Sequence, residues 1–416
     1  MDALIAIWVT KCKARDKPHA MLRRHTGPTM ADRAYLDWNA TAPLRPEARA
    51  AMLAALDLAG NPSSVHGEGR AARALVECAR EQVAALAGAR PEDVIFTSGG
   101  TEANALALNP EIGLGADRAP RDRLLVSAIE HPSVLAGGRF ESARIEVIPV
   151  TPQGVVDLDA LRAALAKGGR PLVSVMLANN ETGVVQPVSE VARLVHEAGG
   201  ILHADAVQGP GRIFSNINDL GADLLTLSAH KMGGPKGIGA LVRASDDMHF
   251  ARPLLSGGGQ ERGYRAGTEN VAGIAGFGAA AAAVCSLGEE SARMAILRTV
   301  LEDGLKSVTP DAIIFGEAAE RLPNTTLFAL EGVKAETALI AFDLDGIAVS
   351  SGAACSSGKV QSSHVLSAMG VSPELARGAI RVSLGHASTE TEIEMFLKTW
   401  KKLSESLGKG RRGIAA

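Results

Sequence analysis

From residue 94 onward, short apolar runs alternate with amphipathic stretches. Residues 94–97 (VIFT), 124–127 (LLVS), 145–150, 172–177, 201–204, 224–227 and 240–243 are each of strand length and largely apolar. Runs without a polar face predict strands buried on both sides. Between them the apolar positions follow a helical spacing, as in residues 157–167, which Gly168-Gly169 should end. Ser189 is the expected cap of the next helix, which should stop at Gly199-Gly200. Upstream, Pro43 and Pro46 introduce a helix. A second helix over 66–88 should bury Leu75, Val76, Ala79, Val83 and Leu86, hold Cys78 as core and be capped by Gly88. Strands separated by helices predict an α/β fold with a mostly parallel central sheet covered on both faces. Ligands of such sheets bind beyond the carboxyl ends of the strands.

The rhythm changes after residue 286. An amphipathic helix is expected over 289–306, strands over 324–330 and 346–350, and helices over 334–342 and 389–407. This predicts a loose N-terminal extension (1–29), a large domain (30–287), a smaller α+β C-terminal domain (288–407) and a disordered tail (408–416). The first residues of the large domain should pack on the small one. The alanine-rich stretch 271–284 is too short to span a bilayer and reads as a buried helix.

Composition narrows the function classes. The 416 residues carry a net charge of -3, so no basic field for nucleic acid or an acidic membrane surface exists. Aromatics make up 3% of the chain, which argues against a base-stacking platform. Cys12, Cys78, Cys285 and Cys355 form no CxxC pair, so neither a zinc module nor a disulfide framework is indicated. Reduced thiols and a cytoplasmic location are the expectation. In the first 29 residues an apolar stretch precedes a basic patch, the wrong order for a secretory signal. Met30 as the start, or a loose tail, is preferred over an organellar targeting peptide.

The candidate chemistry sits where strands end. LSAHKMGGPKGIGAL (227–241) places Lys231 after a strand and among glycines. Alone it divides evenly between a surface turn and a lysine that forms a Schiff base with a carbonyl cofactor. SGGTE (98–102) opens a helix and could cradle a phosphate, although in isolation a plain N-cap by Thr101 or Ser98 is the better explanation. HADAVQ (203–208) puts Asp205 at a strand end, where a carboxylate could pair with a pyridinium nitrogen or simply cap a helix. His131, in EHP, could stack on a ring and shuttle protons, or serve structure alone. Residues 256–270 form a glycine-rich, charged segment of functional-loop composition. SSGAACSSG (350–358) surrounds Cys355 with small residues, which builds no hydrophobic core and predicts an exposed, reactive thiol.

Ten ordered motifs between Tyr35 and Leu384 together resemble the cysteine desulfurases of the class-V aminotransferases: YLDWNATAP, GNPSSVHGEGR, TSGGTEAN, EHPSV, ANNETGVVQP, HADAVQ, SAHKMGGPKGIGAL, GGGQERGYRAGTEN, SSGAACSSG and RVSLG. The cysteine loop is similar to that of the subgroup serving nitrogen fixation and general iron–sulfur assembly. The resemblance implies a fold-type-I transferase dependent on pyridoxal 5'-phosphate and acting as a homodimer. Lys231 would hold the cofactor, Asp205 its ring nitrogen and Gln208 its ring hydroxyl, with His131 stacked on the ring. Gly100, Thr101, Ser228 and His230 would take the phosphate, joined by Thr268 from the partner subunit. Asn180 and Arg381 would bind the carboxylate of L-cysteine. Cys355 would accept its sulfur as a persulfide and pass it to an acceptor or iron–sulfur scaffold protein, with no resident metal. The alternatives are a selenocysteine lyase, another class-V enzyme, or a scaffold without activity. Trp38, Ala103 and Lys359-Val360-Gln361 depart from the commonest family pattern. The first two should sit beside the site, and the third bears on which acceptor docks.

Overall fold

A computed structural model describes residues 33–286, 288–352 and 363–414, with 407–414 as backbone alone. Its centre is a seven-stranded sheet of β1 (Val94–Thr97), β2 (Arg123–Ser127), β3 (Ile145–Ile148), β4 (Pro171–Met176), β5 (Ile201–Asp205), β6 (Leu224–Ser228) and β7 (Gly239–Arg243). The spatial order is β1-β7-β6-β5-β4-β2-β3. Neighbours from β6 through β3 run parallel, and β7 lies antiparallel between β1 and β6. Every residue of β1, β4, β5, β6 and β7 is buried, as expected for a sheet with helices on both faces. Only the edge strand β3 exposes side chains, Val147 among them.

The alanine-rich stretch forms the buried helix Val271–Val284. Its small residues follow from close helix packing. A Cβ on Gly278 would lie 2.5 Å from the Ala79 Cα in helix Gly67–Ala87, and one on Gly276 would lie 2.6 Å from the Met52 Cγ in helix Pro46–Leu56. No single helix among the described residues is long and apolar enough to cross a membrane.

A second, antiparallel sheet orders Ile313–Ile314, Thr325–Ala329, Ile380–Ser383 and Ser350–Ser351. Phe328, Phe342, Phe396 and Trp400 fill its core together with Ala34 and Leu36 from the start of the described chain. Ala34–Tyr35 pairs in parallel with Ile347–Ala348, which draws residues 37–42 across to the ends of the central strands.

Local expectations needed correction at several points. Cys78 is exposed, not core. It lies two residues, about 200° of helix, from the buried Val76. Leu75 and Leu86 are only half-buried, while Ala72, Val76, Ala79, Val83 and Ala87 form the inner face. Ser189 does not cap its helix. The helix starts at Val188, with Pro187 in the N-cap position and no side-chain cap bond. The strand expected over 346–350 is broken into Ile347–Ala348 and Ser350–Ser351, which pair with different strands. The tail expected from 408 onward is helical to Ile414, the end of Glu390–Ile414.

Candidate active site

A cavity of about 290 Å³ opens beyond the carboxyl ends of β4, β5 and β6. Ten of the residues expected at the site line it: Gly100, Thr101, His131, Asn180, Asp205, Gln208, Ser228, His230, Lys231 and Arg381. Gly100, Thr101, Ser228 and His230 also border a wider recess of about 430 Å³ beside it, with Lys236 and Gly237. Thr268 does not line the cavity of its own protomer. It borders a separate pocket of about 250 Å³ with Ser98, Gly237 and Glu269. Cys355 lies outside the described residues, as do Lys359-Val360-Gln361.

Lys231 ends the short turn Ala229–Lys231 that follows β6. Its Nζ donates to the carbonyls of Asn39 (2.6 Å) and Ala40 (3.0 Å). Asn39 is a buried junction. Its amide nitrogen donates to Thr325 Oγ1 and the Asn180 carbonyl, and its side-chain oxygen accepts from Asn324. Gln208 Nε2 donates to the Asn39 carbonyl at 3.1 Å. The segment that receives the lysine is thus fastened to both sheets. Arg212, fully buried, ties the same layer from below by donating to the carbonyls of Gln208 and Lys231.

Asp205 ends β5 with Oδ1 accepting from the Val207 N–H (3.0 Å) and Oδ2 from Asn104 Nδ2 (2.8 Å). Burial lowers the pKa of His131. Asp205 opposes that shift, while Lys231 and His364 add to it. His230 is pushed down to about 4, chiefly by burial and further by Lys231, Lys236 and Arg212. Both rings are therefore neutral at pH 7. Each can accept or donate one hydrogen bond without bringing a charge that would have to be neutralised.

Arg381 is 2% exposed on the strand Ile380–Ser383. Its NH2 donates to Asp37 Oδ1 (2.8 Å) and its NH1 to the Asn180 carbonyl (2.9 Å), while Nε is buried without a partner among the described residues. A buried guanidinium with an unused donor suits a carboxylate ligand. Asp37 holds that fork in place.

The residues present fit a phosphorylated pyridine cofactor. Helix Gly100–Ala107 starts at the cavity, so its first N–H groups are available to an anion. A Cβ on Gly100 would meet Val207 Cγ2 at 3.0 Å, so a larger side chain would crowd this cradle. Gln208 Oε1 is buried without a partner among the described residues, an acceptor suited to a ring hydroxyl. Asp205 provides the anion for a ring nitrogen. Among the described residues, no group of three or more His, Cys, Asp or Glu side chains could hold a metal ion.

The departures from the family pattern also find places. Trp38 is buried edge-on against Tyr35 and His386 and borders a small pocket behind Lys231, not the main cavity. Ala103 is fully buried among Ile95, Leu106 and Val126. Several residues were missed by sequence reasoning: Asn39, Asp37, Asn104, Ser133 and Glu181. Each lies inside one of the quoted motifs, but membership in a motif does not say what the residue holds.

The geometry agrees with comparisons to known proteins. The family model for aminotransferase class-V matches residues 34–396. The chain is 44% identical over 382 residues to a cysteine desulfurase of Cereibacter sphaeroides, covering 90% of this chain and 97% of that one. It is 41% identical to the cysteine desulfurase IscS of Dictyoglomus turgidum, with 90% and 95% covered. Among solved structures, a NifS-like protein from Rickettsia africae superposes with a TM-score of 0.81 at 38% identity, covering 90% of this chain and 99% of that one. SspA in complex with cysteine superposes with a TM-score of 0.71 at 28% identity, covering 86% and 100%.

Proposed function

Because the chain belongs to the class-V aminotransferase family, we propose that it is a cysteine desulfurase that draws sulfur from L-cysteine for iron–sulfur cluster assembly. The observation that carries this reading is the convergence of Lys231, Asp205, His131 and Arg381 on one cavity at the strand ends. Pyridoxal 5'-phosphate, when bound, supplies an electron sink for charge that develops at the substrate α carbon. Lys231 would anchor it through Nζ. Asp205 would keep its ring nitrogen protonated, Gln208 would meet its ring hydroxyl, and His131 would pack against the ring. Gly100, Thr101, Ser228 and His230 would hold its phosphate.

Arg381 and Asn180 bind the substrate carboxylate and so fix the α carbon and sulfur in place. The Cys355 thiolate attacks the substrate sulfur. A sulfur–sulfur bond forms as the carbon–sulfur bond breaks, and the electron pair of the broken bond stays with the substrate carbon. Proton return there completes L-alanine, leaving a persulfide on Cys355, so cysteine plus thiol balances alanine plus persulfide with no external oxidant. Lys231 and His131 are the groups placed to move protons. The persulfide then passes to an acceptor protein. In a homodimer, Thr268 of one protomer completes the phosphate site of the other, a role consistent with its position outside its own cavity. We assign the enzyme to the cytoplasm.

The test is an assay on L-cysteine with a reductant, quantifying alanine and sulfide together. Equal amounts are expected. Cys355→Ala should abolish both while the bound cofactor keeps its visible colour. Wild-type sulfide release by that variant would remove Cys355 as the nucleophile.

A further inference from the structure

We propose that Asn104 and Ser133 are positioning residues that hold His131 neutral, with its ring proton on Nε2. The consequence for catalysis rests on the desulfurase reading, but the geometry stands in the protein alone.

Asn104 lies in the second turn of helix Gly100–Ala107 and is 1% exposed. Its Nδ2 donates both to Asp205 Oδ2 (2.8 Å) and to Ser133 Oγ (2.9 Å). An amide nitrogen has two hydrogens and accepts nothing, so both hydrogens are in use. Ser133 Oγ receives one of them. Its other neighbour is His131 Nδ1, at 2.7 Å, to which a hydroxyl can either donate or present its second lone pair; the backbone decides between the two. The Ser133 backbone N–H donates to the same nitrogen at 3.1 Å. Two donors converge on Nδ1, which must therefore present a lone pair. The ring proton belongs on Nε2.

The neighbours of the amide fix which way it faces. Turned over, Asn104 would set Oδ1 against the Asp205 carboxylate oxygen, acceptor against acceptor. In the observed orientation Asn104 Oδ1 is instead buried with no partner among the described residues. Leaving an acceptor unpaired in the interior is costly, so the arrangement holds only because the carboxylate demands a donor. Asp205 thus orients Asn104, Asn104 orients the Ser133 hydroxyl, and Ser133 fixes the ring of His131.

The charged and titratable groups around His131 are Asp205 beyond β5, Lys231 beyond β6 and His364 on helix His364–Ala368. Asp205 favours the imidazolium, while burial, Lys231 and His364 oppose it. The Ser133 donors act in the same direction as the latter set, by occupying the nitrogen a second proton would need. In the proposed reaction His131 therefore offers an N–H from Nε2. It takes up a proton on Nδ1 only when the Ser133 hydroxyl turns away and the ring also gives up the Ser133 backbone N–H.

The experiment is a pH titration of the histidine side-chain nitrogens by NMR on the cofactor-loaded protein, with His131 assigned from a His131→Gln spectrum. Wild type should show His131 as the Nε2–H tautomer through neutral pH. Asn104→Leu frees the Ser133 hydroxyl to accept from a protonated ring. Its His131 midpoint should rise by about 0.5 to 1 pH unit, the size expected for one net hydrogen bond to the neutral form. Ser133→Ala should shift it in the same direction, and it carries the test alone if the leucine variant does not fold. A wild-type Nδ1–H tautomer, or variants that titrate within about 0.2 pH unit of wild type, would overturn the proposal. The readout is independent of turnover. A protein inactive on L-cysteine but with this titration loses the desulfurase reading and keeps the relay, and the reverse result does the opposite.

Discussion

Arg381→Lys isolates the recognition of the substrate carboxylate. The guanidinium has five N–H donors. One NH2 hydrogen is directed to Asp37 Oδ1 and one NH1 hydrogen to the Asn180 carbonyl, and Nε has no partner among the described residues. Three donors, Nε among them, remain for a ligand, enough for a two-pronged contact. A lysine keeps the charge but has only three donors on one nitrogen. If two remain with Asp37 and Asn180, one is left for the substrate. The variant therefore loses about one charge-assisted hydrogen bond, which is worth roughly 1.5–3 kcal/mol. That converts to a loss of about 10- to 150-fold in kcat/KM. The carboxylate takes no part in bond breaking, so ground state and transition state lose the contact together. The loss should fall mainly on KM. Steady-state alanine formation over a range of L-cysteine concentrations measures it. A KM within about threefold of wild type would refute the assignment of Arg381 to the carboxylate. A fall confined to kcat would indicate that Arg381 acts on the reacting atoms instead.

Two further outcomes follow from burial. Glu181 is buried with its carboxyl pushed up to about 7 by desolvation, against the pull of Ser363 and Arg381. A carboxyl raised in the fold binds its proton more tightly there than in the unfolded chain. Its contribution is thus intact below about pH 4.5 and is lost as pH rises from there through 7, a span worth about 3 kcal/mol. Glu181→Gln should remove that dependence, and parallel melting curves for variant and wild type across pH 5–8 would contradict it. Gly385→Ala would place a Cβ 2.0 Å from the Trp38 ring, which is 5% exposed and has little room to move. A loss of about 1–3 kcal/mol is expected in denaturant unfolding, and an unchanged midpoint would show that Trp38 repacks freely.

The central sheet was legible because its strands are apolar on both faces and end in polar motifs. That combination is visible without knowing any contact, and it placed Asp205, Ser228 and Lys231 correctly at the ends of β5 and β6. Helix phase was less legible. A count of apolar letters put Leu75, Leu86 and Cys78 inward. The structure buries the expected Val76, Ala79 and Val83 but completes that face with Ala72 and Ala87, along which helix Val271–Val284 approaches closely. Small residues mark close approach, and a reading that weights large side chains misses it.

What the motifs could not convey is what holds them. Asn39 gives no local signal, since its partners Asn180, Asn324 and Thr325 are 141, 285 and 286 positions away. Yet it is the residue through which Lys231 touches both sheets. Its carbonyl accepts from Lys231 Nζ and from Gln208, while its side chain bonds Asn324 and Thr325 beside the strand that carries Arg381. The lysine end of the site belongs to the central sheet and the carboxylate fork to the second. Their spacing is therefore set by how residues 37–42 cross between the sheets, not by either sheet alone. A motif reading named ten side chains that meet in one cavity because most of them are local to a strand end or a helix start. The distance between the two ends is a property of the crossing segment, and only the folded chain displays it.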